Sequence, residues 1–146
     1  MKIYKPNKSE FINYMVTGIV LLPIIIFTLD KSTFTEKPFI LLPLLSPVVL
    51  TLWTYFDTYY KIENGNFFYR CGFIRGEIEI STIKEIIQGK TMGNGTRAAL
   101  SRNGFTVSHS KYHKAYIAPE NNSEVISELL KLNPEIRAIQ QKTVRT

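Results

Sequence analysis

Gly89-Lys90-Thr91 has the residues that end a phosphate-cradling P-loop. A P-loop also needs a glycine five residues before Gly89, and that position is Lys84. The segment lies between strand-like runs, not between a strand and a helix, so it reads as a connecting loop. His109 and His113 are four apart, the spacing of a metal pair on a helix. Here the interval spans a turn between strands, and no third ligand stands near. Cys71 is the only cysteine, which rules out an intrachain disulfide, and a strand cysteine commonly packs as a small apolar group. Glu77 and Glu79 share the outward face of one strand and read as a solvated face. No set of nucleophile, base and oxyanion donor stands out. The chain therefore reads as a non-enzyme that uses no metal and no cofactor.

Binding chemistry is easier to find. The loop Gly89–Gly95 holds three glycines in seven residues, so it is expected to be mobile, and mobile loops often carry binding. Lys90 can meet an acidic group, and Met92 can pack adaptably. With Arg97 they form the candidate surface for a protein or peptide partner, beside the strand segment Phe105–Ser108. The plainer alternative is a loop that only connects strands. The formal charge is +6 with a pI near 9.4, but the basic residues are scattered and form no adjacent run. Nucleic-acid binders concentrate such charge on one face or helix, so nucleic acid is not an expected partner. A surface beside anionic lipid explains the excess more simply.

The elements that position these residues fall into two unlike halves. Residues 11–29 and 39–56 carry no charge, and 19 helical residues span about 28 Å, close to the hydrocarbon thickness of about 30 Å. Asp30–Pro38 is a short polar loop between them. The pair reads as an antiparallel transmembrane hairpin in the lipid bilayer, comprising residues 1–57. The first run exceeds the 7–15 residues of a signal peptide, and no small-x-small site follows it. Pro23, Pro43 and Pro47 are tolerated in a membrane, with kinks expected near them. Tyr14, Trp53, Tyr55 and Phe56 lie near the segment ends, where aromatic residues favour the interface, and Asn13 is expected to reach headgroups. Lys2, Lys5 and Lys8 precede the hairpin and Lys61, Arg70 and Arg75 follow it, which favours both termini in the cytoplasm and a multi-pass location in the cell membrane.

From residue 58 onward the pattern is that of strands. Thr58–Ile62 is aromatic and β-branched, and Asn64-Gly65 is a hairpin signal before Asn66–Cys71. Glu77-Ile78-Glu79-Ile80 alternates, which turns Ile78 and Ile80 to a core. Ile83–Gln88, Ala98–Ser101, Phe105–Ser108 and Tyr112–Ile117 complete about seven strands. A helix follows, with Asn121 as N-cap, Glu124 at the third helical position, and Pro134 as terminator. Val125, Ile126, Leu129, Leu130 and Leu132 form its apolar stripe, and Glu120, Glu124 and Glu128 its exposed side. A fragment beginning near Asp57 is expected to hold a complete core. Residues 137–146 read as a polar, frayed tail.

Seven strands and one C-terminal helix are the element order of a pleckstrin-homology (PH) fold. Tyr60-Lys61-Ile62, Phe73-Ile74-Arg75-Gly76-Glu77-Ile78, Ile80, Ile83, Ile86 and Ile87, Ala99-Leu100-Ser101, Ile117-Ala118-Pro119 and Leu132-Asn133-Pro134-Glu135-Ile136 extend the match. Over residues 58–136 the chain resembles the small bacterial PH-like domain family, which includes the sublancin immunity protein and many members with N-terminal membrane segments. The family often has an acidic-Arg pair after the Ala-Leu-Ser turn, whereas this chain reads Arg102-Asn103-Gly104. The resemblance implies a PH-like barrel capped by its helix. It also implies a membrane-anchored binding module that engages a protein or peptide. Bacteriocin (lantibiotic-type) immunity is one form of that role, and lipid-headgroup binding is an alternative.

Overall fold

The computed structural model describes residues 2–89, 95–110 and 113–140, apart from the side chains of Thr33 and Phe34. Two long helices form where the sequence is uncharged: α1 (Glu10–Leu29) and α3 (Leu41–Phe56), the latter entered through a 3-10 turn, Pro38–Ile40. The intervening segment, expected to be a loop, contains a short helix, α2 (Lys31–Glu36). Pro23 and Pro47 lie inside α1 and α3, and neither helix buries a residue within the chain. Asn13 is exposed near the start of α1. Its Oδ1 accepts a hydrogen bond from the Tyr55 hydroxyl at 2.9 Å, tying α1 to α3.

Four antiparallel strands form the first sheet in the order β1-β2-β3-β4, with β1 (Lys2–Tyr4), β2 (Thr58–Glu63), β3 (Asn66–Cys71) and β4 (Ile74–Glu79). The β2–β3 turn works because Asn64 and Gly65 both adopt positive φ, 51° and 77°, as a two-residue hairpin turn of this twist requires. The second sheet runs β6-β8-β7-β5-β9, with β5 (Glu85–Gln88), β6 (Thr96–Ala98), β7 (Phe105–Ser108), β8 (Lys114–Ile117) and β9 (Arg137–Gln140). Seven strands, β2 to β8, fall in the stretch where about seven were expected. Their bounds shift most at β6, which lies at Thr96–Ala98 and not at Ala98–Ser101.

The core between the sheets contains Tyr60, Phe67, Ile78, Ile80, Ile86, Phe105, Val107 and Ile117. The helix α4 (Asn122–Leu132) caps it with Val125 and Leu129, both fully buried. Asn121 is the N-cap, its side chain accepting from the Glu124 amide at 3.2 Å. Leu132, placed in the apolar stripe by its spacing, is 51% exposed because α4 runs past the edge of the core by its last turn. Ile78 and Ile80 are both buried, although Ile80 already belongs to a 3-10 turn, Ile80–Thr82.

Two strands lie outside the expected domain. Arg137–Gln140, read as frayed tail, pairs in parallel with β5, because the chain leaves α4 heading along that free edge. Its four residues are exposed, so main-chain bonds hold it more than burial does. At the other end, β1 pairs antiparallel with β2 and places Tyr4 in the core at 7% exposure. The Glu120 amide donates to Lys5 O at 2.9 Å, and the Asn7 amide donates to Ala118 O at 2.8 Å. Lys2 Nζ reaches Glu124 at 3.0 Å and Glu128 at 3.8 Å on α4. The segment assigned to the hairpin thus clasps the β domain. A fragment starting near Asp57 would lack one strand and one core side chain.

Asp57 is the joint. Its amide closes α3 on Trp53 O at 2.8 Å, and its carboxylate accepts from Trp53 Nε1 at 3.1 Å and pairs with Arg70 Nε at 2.8 Å. Thr58 Oγ1 donates to Thr54 O at 2.6 Å. Gly72 sits against Thr54 with φ 59°, and a Cβ there would lie 2.7 Å from Thr54 Oγ1. Close backbone approach and positive φ together require glycine at this contact between α3 and the β domain.

Candidate functional site

A cleft of about 920 Å³ lies between the β2–β3 turn, the end of β4 and the C-terminal end of α4. The turn is anchored by the Ile80 amide, which donates to Gly65 O at 2.9 Å. Asn133, the C-cap of α4, donates from Nδ2 to Ile80 O at 2.9 Å, so helix and 3-10 turn form one wall. Asn66 Nδ2 holds Glu77 Oε1 at 2.6 Å, and Ser81 Oγ holds Glu79 Oε1 at 2.6 Å. Glu77, Glu79 and Glu135 therefore line one open cleft, with no lysine or arginine among the lining residues and no ion pair to any of the three within the described residues. The exposed Leu132 supplies an apolar edge. Fixed carboxylates beside an exposed leucine favour a cationic, partly apolar segment.

Of the surface expected from the sequence, only Arg97 falls within the described residues. Lys90 and Met92, with most of the glycine-rich loop, lie outside the described residues. Arg97 is exposed on β6, an edge strand of the second sheet, with its guanidinium 5.7 Å from the centre of the Tyr116 ring. It does not line the acidic cleft. Phe105–Ser108, expected beside that surface, is the central strand β7 and is buried at all four positions. The acidic cleft was hidden because its residues come from segments about 15 and 55 positions apart. Glu77 and Glu79 read from the sequence as a solvated face, and no sequence signal placed Glu135 beside them.

The remaining candidates are His109, His113 and Cys71. His109 and His113 stack with ring centres 5.8 Å apart, and burial together with the neighbouring imidazole pushes the His109 pKa down. No group of three His, Cys, Asp or Glu side chains arranged to hold a metal occurs among the described residues. Cys71 is buried, and burial pushes its thiol pKa up.

A family model described as Bacterial PH domain matches residues 58–133, just over half of the chain. Uncharacterized protein YyaB of Bacillus subtilis (strain 168) is 25% identical over 140 residues, which covers 92% of this chain and 94% of the relative. That match extends over the apolar helices as well as the β domain. No solved structure gives a significant match.

Proposed function

Because this chain belongs to the bacterial PH domain family, we propose that it is a membrane-anchored binding module whose PH-like domain engages a protein or peptide partner at the cytoplasmic face. The observation that carries the reading is the pair of helices, Glu10–Leu29 and Pro38–Phe56. Both are long and apolar enough to cross a membrane, and neither buries a residue within the chain. Soluble core helices bury one face, whereas these present leucine, isoleucine and phenylalanine all round. The acidic cleft supports a partner segment that is basic with an apolar residue beside the charge. Its wall is built from paired turns and a capped helix, so little ordering cost falls on the domain when the segment binds.

Site-directed photo-crosslinking in intact cells tests this. A photoreactive residue at Leu132 is expected to trap one discrete partner. Glu77→Gln with Glu79→Gln should reduce that product several-fold at unchanged protein level. The same measurement with Lys90, Met92 and Arg97 replaced together by serine tests the glycine-rich loop as the partner surface. Absence of a crosslink at Leu132, together with an unchanged pattern for the triple serine variant, would overturn the partner-binding reading.

A further inference from the structure

Residues 5–8 connect β1 to α1 and pass beside the end of α3. There Lys5, Asn7, Lys8, Phe56, Thr58 and Glu120 line an open cavity of about 460 Å³. Lys8 Nζ stands 3.8 Å from the centre of the Tyr55 ring and 5.5 Å from that of Phe56. Among the described residues neither Lys5 nor Lys8 forms an ion pair. Glu120 is the carboxylate in the lining, and Glu10, exposed at the start of α1, is the nearest one along the chain. Two lysines and one glutamate leave the lining with a single net positive charge.

Tyr55, the ring beneath Lys8, also lines a second crevice of about 200 Å³ with Ile12, Met15, Leu50 and Leu100. This one is apolar. Leu100 comes from the β domain, and the other four come from α1 and α3. Lys8 of the cationic cavity thus stands over the tyrosine that lines the apolar crevice, at the level where both long helices reach the domain. For a hairpin inserted in a bilayer, that level is the interface between headgroups and chains.

We propose that these two cavities bind one anionic phospholipid, its phosphate held by Lys5 and Lys8 and an acyl chain laid along Ile12, Met15 and Leu100. The proposal rests on the membrane-anchored reading and adds a ligand to it. Its site differs from the β2–β3 turn, which carries no lysine or arginine. The single positive charge of the lining matches a phosphodiester. The Lys8 ammonium, poised over an aromatic face, keeps N–H donors for phosphate oxygens. A bound lipid would fill the space between hairpin and domain and fix the angle between them.

Native mass spectrometry of the full chain, released from nanodiscs containing equal phosphatidylglycerol and phosphatidylcholine, tests this directly. The natural sequence should retain one phosphatidylglycerol. Lys5→Gln with Lys8→Gln should lower that retention at least about tenfold, as expected for the loss of two interfacial lysines. Leu100→Ser, which leaves both lysines in place, should lower it too. Lys61→Gln with Lys131→Gln, removing equal charge elsewhere, should not. Millimolar inorganic phosphate or glycerol 3-phosphate should fail to displace the lipid, and displacement by either would make this a free-phosphate site and overturn the lipid assignment. Equal retention in all variants, or none in the natural sequence, would also overturn it. If the chain leaves membranes on alkaline carbonate extraction, the hairpin reading falls as well. A chain that stays in the membrane without retaining lipid defeats only this proposal.

Discussion

Two buried tyrosines pin the β domain through their hydroxyls. Tyr60 donates to Ala98 O at 2.7 Å and accepts from the Ala118 amide at 3.1 Å, joining β2 to the strand ends of the other sheet, and burial holds its pKa far above the usual range. Tyr116 accepts from the Gly104 amide at 2.9 Å and donates to Arg102 O. Tyr60→Phe leaves a buried carbonyl and amide unpaired and should cost about 1–3 kcal/mol, measured as a shift in denaturant midpoint of the full chain in detergent. At Cys71, burial opposes the thiolate while a hydrogen bond with Thr58 partly favours it. Alkylation at neutral pH should therefore be slow in the folded chain and rapid on unfolding. His109 gives a pH dependence with a definite sign. Its folded pKa lies below its ordinary value of about 6.5, so the unfolded chain takes up the proton first as pH falls. The stability it contributes is present above pH about 6.5 and lost as pH drops toward the folded pKa. His109→Gln should flatten a small decline in melting temperature over that window.

Local signals made most elements legible. Asn64-Gly65 specified a turn, Asn121 a cap, and the Glu77–Ile80 alternation a core face, because each is decided by residues within one turn of the chain. The strands at the two ends were not legible. Lys2–Tyr4 and Arg137–Gln140 are too short for periodicity to register, and their partners, β2 and β5, lie more than 50 residues away. The acidic cleft was hidden for the same reason. Leu132 was misplaced because helical spacing does not say where the core beneath a helix ends. Two substitutions test the elements. Leu129→Asp puts an unpaired charge where α4 meets the core, which should cost several kcal/mol, a sum comparable to a domain's whole stability. Tyr4→Ala removes the core anchor of β1 and should cost about 3 kcal/mol, read from thermal unfolding. An unchanged melting temperature for Tyr4→Ala would mean that β1 merely rests on β2.

At the scale of the whole molecule, β1 imposes a constraint that composition alone lacks. Residues 2–4 pair with β2, so the N-terminal segment and the β domain must lie on the same side of any membrane the chain enters. Between them stand two helices long enough to cross, an even number, and a connection at residues 30–37 that must face the other side. In the reading proposed above, the excess of lysine and arginine flanking the hairpin favours the cytoplasmic side for the domain. Labelling of single introduced cysteines with a membrane-impermeant maleimide tests this most directly, since the native Cys71 is buried. Ser32→Cys lies in the connection and Arg75→Cys on the exposed surface of β4. Ser32→Cys should be labelled in intact cells and Arg75→Cys only after permeabilisation. Labelling of Arg75→Cys in intact cells, or protection of Ser32→Cys until the membrane is opened, would contradict this topology.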